Sequence, residues 1–205
     1  MSDLRNELLG RRTPAMPPFR MLLPSGWLAF DLSEENEDRV ISQGLARLAA
    51  SGNGGMSATI GPMLRDAFAS LRRQNGFAYA IPGEAAPTWA VGPASIIGLK
   101  RASTPEVTLD DVVMHVVAEF GAAPLGGDER ILAWAETRTV TVQGEQARAL
   151  TLNYLIPIPG TRRTQAVQWT VTTACAPDLP EDAPGLQQWK LLFDVHMATF
   201  AWVQE

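Results

Sequence analysis

The chain has 205 residues, of which 46% are hydrophobic and 19% are charged, and its formal net charge is −5. A composition this apolar and this close to neutral excludes an intrinsically disordered chain, and the length is sufficient for one domain that folds without a metal or a disulfide. Cys175 is the single cysteine, which excludes an intrachain disulfide and any zinc site built on several cysteines.

Charge and hydropathy also restrict the compartment and the partners. The N-terminal segment contains no long apolar run after a basic start, and no stretch of the chain approaches the ~18 apolar residues of a membrane span. We therefore expect a cytoplasmic protein with no membrane span. Nucleic acid is not an expected partner, because the densest charge run of the chain is acidic rather than basic.

The beginning of the chain differs in character from the rest. Residues 1–18 end in a proline-rich stretch and are predicted to form a flexible tail. The remainder, 19–205, is predicted to form a single domain. It opens on two short apolar runs, 19–24 and 27–32, which are separated by a Ser-Gly turn signal and predict a β-hairpin.

Two helices and two strands are predicted next. The first helix is capped by Ser33 and ends at the glycine-rich segment 51–55, and the second begins near Pro62, since proline fits the first turn of a helix. Strands follow at 77–82 and 94–100. The second of these strands is apolar on both faces, which predicts an inner strand of the sheet.

A third helix and a three-stranded meander come next. Thr108 and Asp111 have the spacing of a capping box ahead of a valine-rich helix, whose apolar residues fall on one stripe. Three runs of alternating hydrophobicity then predict antiparallel strands joined by tight turns. They lie at 131–142, 148–158 and 164–174.

The last helix is predicted to pack on the sheet, because its apolar residues share one face from Trp189 to Val203. His196 lies on this face, which favours a packed, hydrogen-bonded core histidine, whereas His115 lies off the stripe of the third helix and is expected to be solvated. Cys175 ends the last strand. Because the helix folds back on the sheet, a Cys175–His196 pair is a second interpretation, although no local motif requires it.

The sequence contains no motif for a cofactor, a metal or catalysis. The glycine-rich segment lacks the Lys-Ser/Thr of a phosphate loop, and it follows a helix, whereas a nucleotide-binding loop follows a strand. The two histidines lack metal-ligand spacing, and there is no G-x-S-x-G elbow. The acidic run 31–38 is interpreted as a helix start, where negative charge favours the helix dipole, with an acidic partner site as the alternative.

Three residues are candidates for a partner surface. Arg162 and Arg163 lie at a predicted hairpin corner, where guanidinium groups are able to bind carboxylates or phosphates. A solvated turn is the alternative interpretation of this pair. Trp89 lies in a predicted loop, and an exposed tryptophan there is typical of an interaction surface.

The mixture of helices and antiparallel strands predicts an α+β sandwich. The opening segment Phe19-x-Met21-x-x-Pro24-x-Gly26-Trp27 and the order of the elements resemble PsbP-like and Mog-type domains over residues 19–204. The resemblance implies an α/β/α sandwich with a central, mainly antiparallel sheet of about six or seven strands flanked by helices. Related domains include actinobacterial lipoproteins of the LpqN type and secretion chaperones of the Eag type, which mostly bind proteins.

These observations predict a non-enzymatic, cytoplasmic protein-binding or chaperone-like module, which the resemblance connects with bacterial secretion. The sequence does not distinguish this hypothesis from a purely structural role in a larger particle. The alternative is a small-molecule-binding protein or an enzyme with a pocket between the sheet and the C-terminal helix. A deep pocket lined by His196, Cys175 or a carboxylate pair would favour the alternative, and an exposed apolar patch over a filled core would favour the first hypothesis.

Overall fold

A computed structural model of the chain describes residues 16–50, 55, 57–87, 94–142, 145–180 and 182–203. This part of the chain contains four helices and nine strands. The helices are α1 (Glu34–Ala50), α2 (Ser57–Arg73), α3 (Leu109–Phe120) and α4 (Pro184–Ala198). The strands are β1 (Phe19–Arg20), β2 (Trp27–Phe30), β3 (Gly76–Pro82), β4 (Ala94–Ala102), β5 (Ala123–Leu125), β6 (Asp128–Val142), β7 (Glu145–Pro157), β8 (Gln165–Cys175) and β9 (Ala201–Trp202).

Seven strands form one sheet in the order β2-β3-β4-β8-β7-β6-β5, and every neighbouring pair is antiparallel. The predicted meander is therefore confirmed as β6-β7-β8, and β4 is the inner strand that its apolar faces indicated. Strand β5 is a short addition that the sequence did not predict. Together with the helices, the antiparallel sheet confirms the α+β class.

The main core lies on the side of the sheet that carries Val167, Trp169 and Val171, which we call the first face. These side chains are buried against Phe193 and Met197 of α4. Helix α4 is also held by a hydrogen bond, because the buried Tyr154 hydroxyl donates to Asp194 Oδ1 at 2.8 Å. Burial raises the pKa of Tyr154, and the negative charge of Asp194 raises it further.

The opposite side of the sheet, the second face, carries two smaller clusters. Side chains alternate between faces along a strand, so Ala166 lies on this side, where it joins Trp134 and Leu155 in a cluster with Leu109 and Val116 of α3. A separate cluster joins the α1–α2 pair to strands β2 and β3. Its residues are Leu32, Val40 and Phe68, with Phe30, Leu71, Tyr79 and Ile81 packed against them.

Helix α3 begins at the capping box that the sequence predicted. Thr108 Oγ1 accepts a hydrogen bond from the Asp111 backbone N–H at 3.1 Å, and the Asp111 carboxylate accepts one from the Thr108 backbone N–H at 2.8 Å. This is the predicted capping box. Gly121 ends the helix in the left-handed conformation, with φ 64°, and its N–H bonds a carbonyl of the last turn.

The predicted opening hairpin is wrong. Strand β1 pairs with β9 at the other end of the chain, with Phe19 opposite Trp202, while β2 pairs with β3. The reason is aromatic packing: the Phe19 ring stacks on Phe200 at 5.4 Å between centroids and meets the edge of Trp169 at 5.6 Å. Ordered contacts begin before Phe19, because Met16 packs against the same core.

Two helix boundaries also differ from the prediction. Helix α2 begins at Ser57, so Pro62 lies inside it and not in its first turn. Helix α4 ends at Ala198 and does not continue to Val203, which is exposed. Thr199 is the C-cap residue of α4. Its Oγ1 donates to the His196 carbonyl oxygen at 2.6 Å and so competes with backbone N–H groups for that acceptor.

Candidate functional site

The Arg162-Arg163 pair lies in the turn between β7 and β8, as predicted, and both side chains are exposed. Both residues have positive φ angles, 53° and 62°, which cost about 1–2 kcal/mol each for a residue other than glycine. The buried Thr161 holds this conformation, because its hydroxyl donates to the Ile158 carbonyl at 2.7 Å. Thr164 in turn donates to the Thr161 carbonyl at 2.7 Å. These two hydrogen bonds stabilise the backbone of the turn.

Arg163 borders two cavities at this end of the sheet. One, of about 200 Å³, lies under α3, and the other, of about 290 Å³, lies against Trp202. Both are also lined by Glu129 and Arg130, so the charges at their mouths are mixed. The Arg130 guanidinium is engaged with Asp128 at 2.7 Å. The third candidate of the predicted partner surface, Trp89, lies outside the residues that the structure describes.

Cys175 and His196 lie in different surroundings. The Cys175 thiol, at the end of β8, donates to the Arg148 carbonyl at 3.4 Å, whereas His196 Nδ1 lies 3.1 Å from the Leu22 carbonyl oxygen. Helix α4 starts beside Arg148, where Leu186 lines the same cavity, and runs away along the sheet. His196 is twelve residues past Pro184, a rise of ~18 Å. The hypothesis of a Cys175–His196 pair is therefore wrong. His196 is hydrogen-bonded as predicted, but it is half-buried and does not belong to the core, so the prediction of a core histidine is wrong in that respect.

The acidic run 31–38 is the start of α1, with three glutamates in the first turn. Asp31 accepts hydrogen bonds from Ser33 and Asn36, which lower the pKa of its carboxyl to about 2. Glu37 is buried and forms an ion pair with Arg72 of α2. These contacts confirm the structural interpretation of the run.

A polar network that the sequence did not indicate crosses the second face. Asn153 is only 2% exposed; its amide donates to Glu136 at 3.1 Å and its oxygen accepts from Gln168 at 2.9 Å. Gln168 in turn accepts from Arg101 at 2.7 Å. The only signal in the sequence was the polar half of the alternation in these strands. Since the Asn153 and Gln168 amides are bonded within the network, its role is to join four strands, β4, β8, β7 and β6.

Glu136 is the acidic centre of this network. Burial opposes its charged form, but hydrogen bonds from Arg138 at 2.8 Å and from the Trp134 indole at 3.0 Å outweigh that effect and hold the pKa of the carboxyl below its ordinary value. Glu136 is thus ionised and fully engaged. A general acid or base needs a pKa near the working pH, so this carboxylate does not fit that role.

An apolar stripe is exposed on the outer side of α4. Leu191 and Val195 are spaced by one helical turn and are 63% and 57% exposed. Leu22, which is 66% exposed, continues the line, because its backbone N–H bonds Thr199 Oγ1 one turn further on. We call these three residues the α4 stripe. The sequence did not indicate it, because the face predicted to be apolar is the buried one.

Helix α3 is exposed where the sequence predicted burial. Only Leu109 and Val116 of this helix are buried, whereas Val117 and Phe120 are 46% and 41% exposed. Val117 and Phe120 are exposed because α3 lies near the β5 side of the sheet, where only one narrow side of the helix contacts strands. His115 is exposed as predicted, with its ring against Phe120 at 5.9 Å between centroids.

Two classes of site receive no support within the described ranges. No group of three or more His, Cys, Asp and Glu side chains among these residues could hold a metal ion. No helix in the same part of the chain is long and apolar enough to span a membrane.

Comparison with known proteins finds a distant structural similarity. No protein-family model matches the chain, and no curated protein matches it. The chain is similar to a crystal structure from Bacteroides thetaiotaomicron VPI-5482 at 1.50 Å resolution, with 8% sequence identity and a TM-score of 0.40. The similarity covers 91% of this chain and 46% of that chain, so the present chain spans less than half its length. This degree of similarity carries no argument about fold or function.

Proposed function

We propose that the protein is a non-enzymatic, protein-binding module with a chaperone-like role. The observation that carries the proposal is the α4 stripe, where three large aliphatic side chains are exposed on the outer side of the helix whose inner side packs on the main core. Contiguous apolar patches on an otherwise polar surface are typical of protein-interaction sites. Burying such side chains against a partner stabilises the complex by roughly 25 cal/mol per Å² of apolar surface.

The resemblance to PsbP-like and Mog-type domains belongs to the same proposal. It receives support from α3 and α4, which pack on opposite faces of the antiparallel sheet, as an α/β/α sandwich requires. A role in bacterial secretion rests on the resemblance alone, and a cytoplasmic location is a further part of the proposal. Arg162 and Arg163 are proposed as a second contact region, since both side chains are exposed at a hydrogen-bonded turn.

The α4 stripe is tested by affinity capture from the native host. The wild-type chain, the double variant Leu191→Glu/Val195→Glu and the control Gln188→Glu, which adds a charge at another exposed position of α4, are used as baits. We expect wild type and control to retain the same partner and the double variant to lose it. Equal melting temperatures show that the variants are folded. No reproducible partner, or a partner that the double variant retains, would overturn the proposal.

One observation favours the alternative of a small-molecule site. A cavity of about 500 Å³ lies between the start of α4 and the sheet, lined in part by Leu150, Leu186 and Lys190. This is the predicted location of a pocket, and its size is within the range of ligand sites. Neither Cys175 nor His196 lines it, but two carboxylates do, those of Glu119 and Glu136. Ligand-induced rises in melting temperature across a metabolite panel, abolished by Leu150→Lys, would favour this alternative.

A further inference from the structure

In the described part of the chain, one edge of the large sheet is unpaired over most of its length. Strand β6 has 15 residues, but β5 pairs only with its first part, and the last register pair is Ala123 opposite Ala133. Within the described ranges, no strand pairs with β6 on that side beyond Ala133. Every second residue along the free portion is exposed, at positions 135, 137, 139 and 141. This portion is the free edge of β6.

The position of Pro124 indicates which backbone groups point outward along the free edge. Pro124 lies opposite Leu132. Because proline has no N–H, these two residues form one of the non-hydrogen-bonded pairs of the antiparallel ladder. The outward backbone groups therefore belong to Ala133, and by the two-residue period of a strand also to Ala135, Thr137 and the following odd positions. Each of these residues presents one N–H and one C=O to a further strand.

Apart from the exposed side chain of Arg138, the free edge lacks the usual protection against strand pairing. Natural sheets protect their edges with short strands, prolines, bulges or charges that point outward. The opposite edge is short, since β2 has four residues. The free edge contains no proline, and its register with β7 runs without a shift. Its charges, Glu136 and Arg138, are engaged with each other on the second face at 2.8 Å.

The 500 Å³ cavity described above opens beside this edge. The edge residues Ala135 and Thr137 line it, and the half-exposed Phe120 of α3 forms an apolar wall together with Leu150 and Leu186. Four charged side chains line the rest of the cavity, so only this wall is suited to an apolar side chain. In an antiparallel pair, residues directly opposite each other point to the same face. Side chains of an added strand opposite Ala135 and Thr137 would therefore point into this cavity.

We infer that the free edge of β6 binds an extended peptide segment of a partner protein by strand addition, with an aliphatic or aromatic side chain of the peptide in the adjacent cavity. Main-chain hydrogen bonds supply affinity in this mode of recognition, and the side-chain pocket supplies selectivity. The inference rests on the proposed protein-binding function and names the class of partner, an extended apolar-containing segment rather than a folded helix. It uses a surface separate from the α4 stripe.

Selection of a random nonapeptide library displayed on phage, with the full chain as bait, tests the inference. Selected peptides should share an aliphatic or aromatic position, and their affinity is measured by calorimetry on Thr137→Pro and on the matched control Thr137→Ala. Thr137→Pro removes an outward N–H that β7 does not use, so binding should fall by at least about tenfold, while the alanine control retains it. Phe120→Gln should weaken binding without abolishing it.

Amide hydrogen exchange provides a readout that does not depend on the proline variant. In the wild-type chain, the amides of Ala135, Thr137 and Thr139 should exchange fast and become protected when a selected peptide is added. Peptides that bind Thr137→Pro as well as the control, protection confined to other residues, or a library without binders would each overturn the inference. A partner captured through the α4 stripe alongside any of these results would leave the proposed function intact and refute only strand addition.

Discussion

Gly98→Ala is the substitution whose effect on stability follows most directly from the structure. Gly98 lies on β4 opposite Trp169, and a Cβ added there would come within 2.8 Å of Phe77 Cζ and 2.9 Å of Trp169 Cζ3. Carbon atoms pack at ~3.5–4.0 Å, so each ring would have to move by roughly 0.6–0.7 Å. Both rings are fixed by aromatic neighbours, with Phe77 and Trp169 only 5.2 Å apart between centroids.

Gly98→Ala should therefore lower the free energy of unfolding by about 1–3 kcal/mol, which is the usual cost of overpacking a core. For a chain of this size, that corresponds to a melting temperature about 2–12 °C lower. The matched control is Gly44→Ala in α1, where an added Cβ meets nothing within 4 Å. The control should gain about 1 kcal/mol from helix propensity.

Urea unfolding followed by circular dichroism measures both variants, with equal m-values as the condition for comparison. A Gly98→Ala chain within about 0.5 kcal/mol of wild type would refute the reasoning. It would mean that the Phe77 and Trp169 rings move aside freely, and that the first-face core is less tightly packed than the distances indicate.

Three further predictions concern local contacts. Tyr154→Phe should destabilise the fold by about 1.5 kcal/mol in urea unfolding, because the hydrogen bond to the half-exposed Asp194 is lost; no change would show that water replaces the hydroxyl. Thr108→Ala should cost about 1 kcal/mol by removing the α3 cap, and Thr108→Ser should restore it. Hydrogen bonds lower the pKa of Asp128 to about 2 from 3.8, so its contribution to stability is complete above pH 4 and is lost as the pH falls towards 2. Thermal melts should show a weaker acid dependence for Asp128→Asn than for wild type.

Part of the candidate site was accessible from the sequence. The Arg162-Arg163 turn was predicted at its place between two strands, because proline, glycine and threonine at a hairpin corner act within a few residues of each other. The α4 stripe and the free edge of β6 were not predicted. An exposed Leu191 and a buried Phe193 have similar hydrophobicity, so only the position of the sheet decides which of them meets solvent.

What the sequence by itself determined is the local structure. The capping box at Thr108, the left-handed Gly121 and the alternation of β7 depend on hydrogen bonds and side-chain periods within one segment. The tertiary structure decided which strand pairs with which and which apolar faces are covered. Phe19 pairs with Trp202 from the far end of the chain because an aromatic cluster can form there, and β6 keeps a free edge because β5 is only three residues long. Neither outcome is encoded within a single segment, since both depend on surfaces that meet only when the chain has folded.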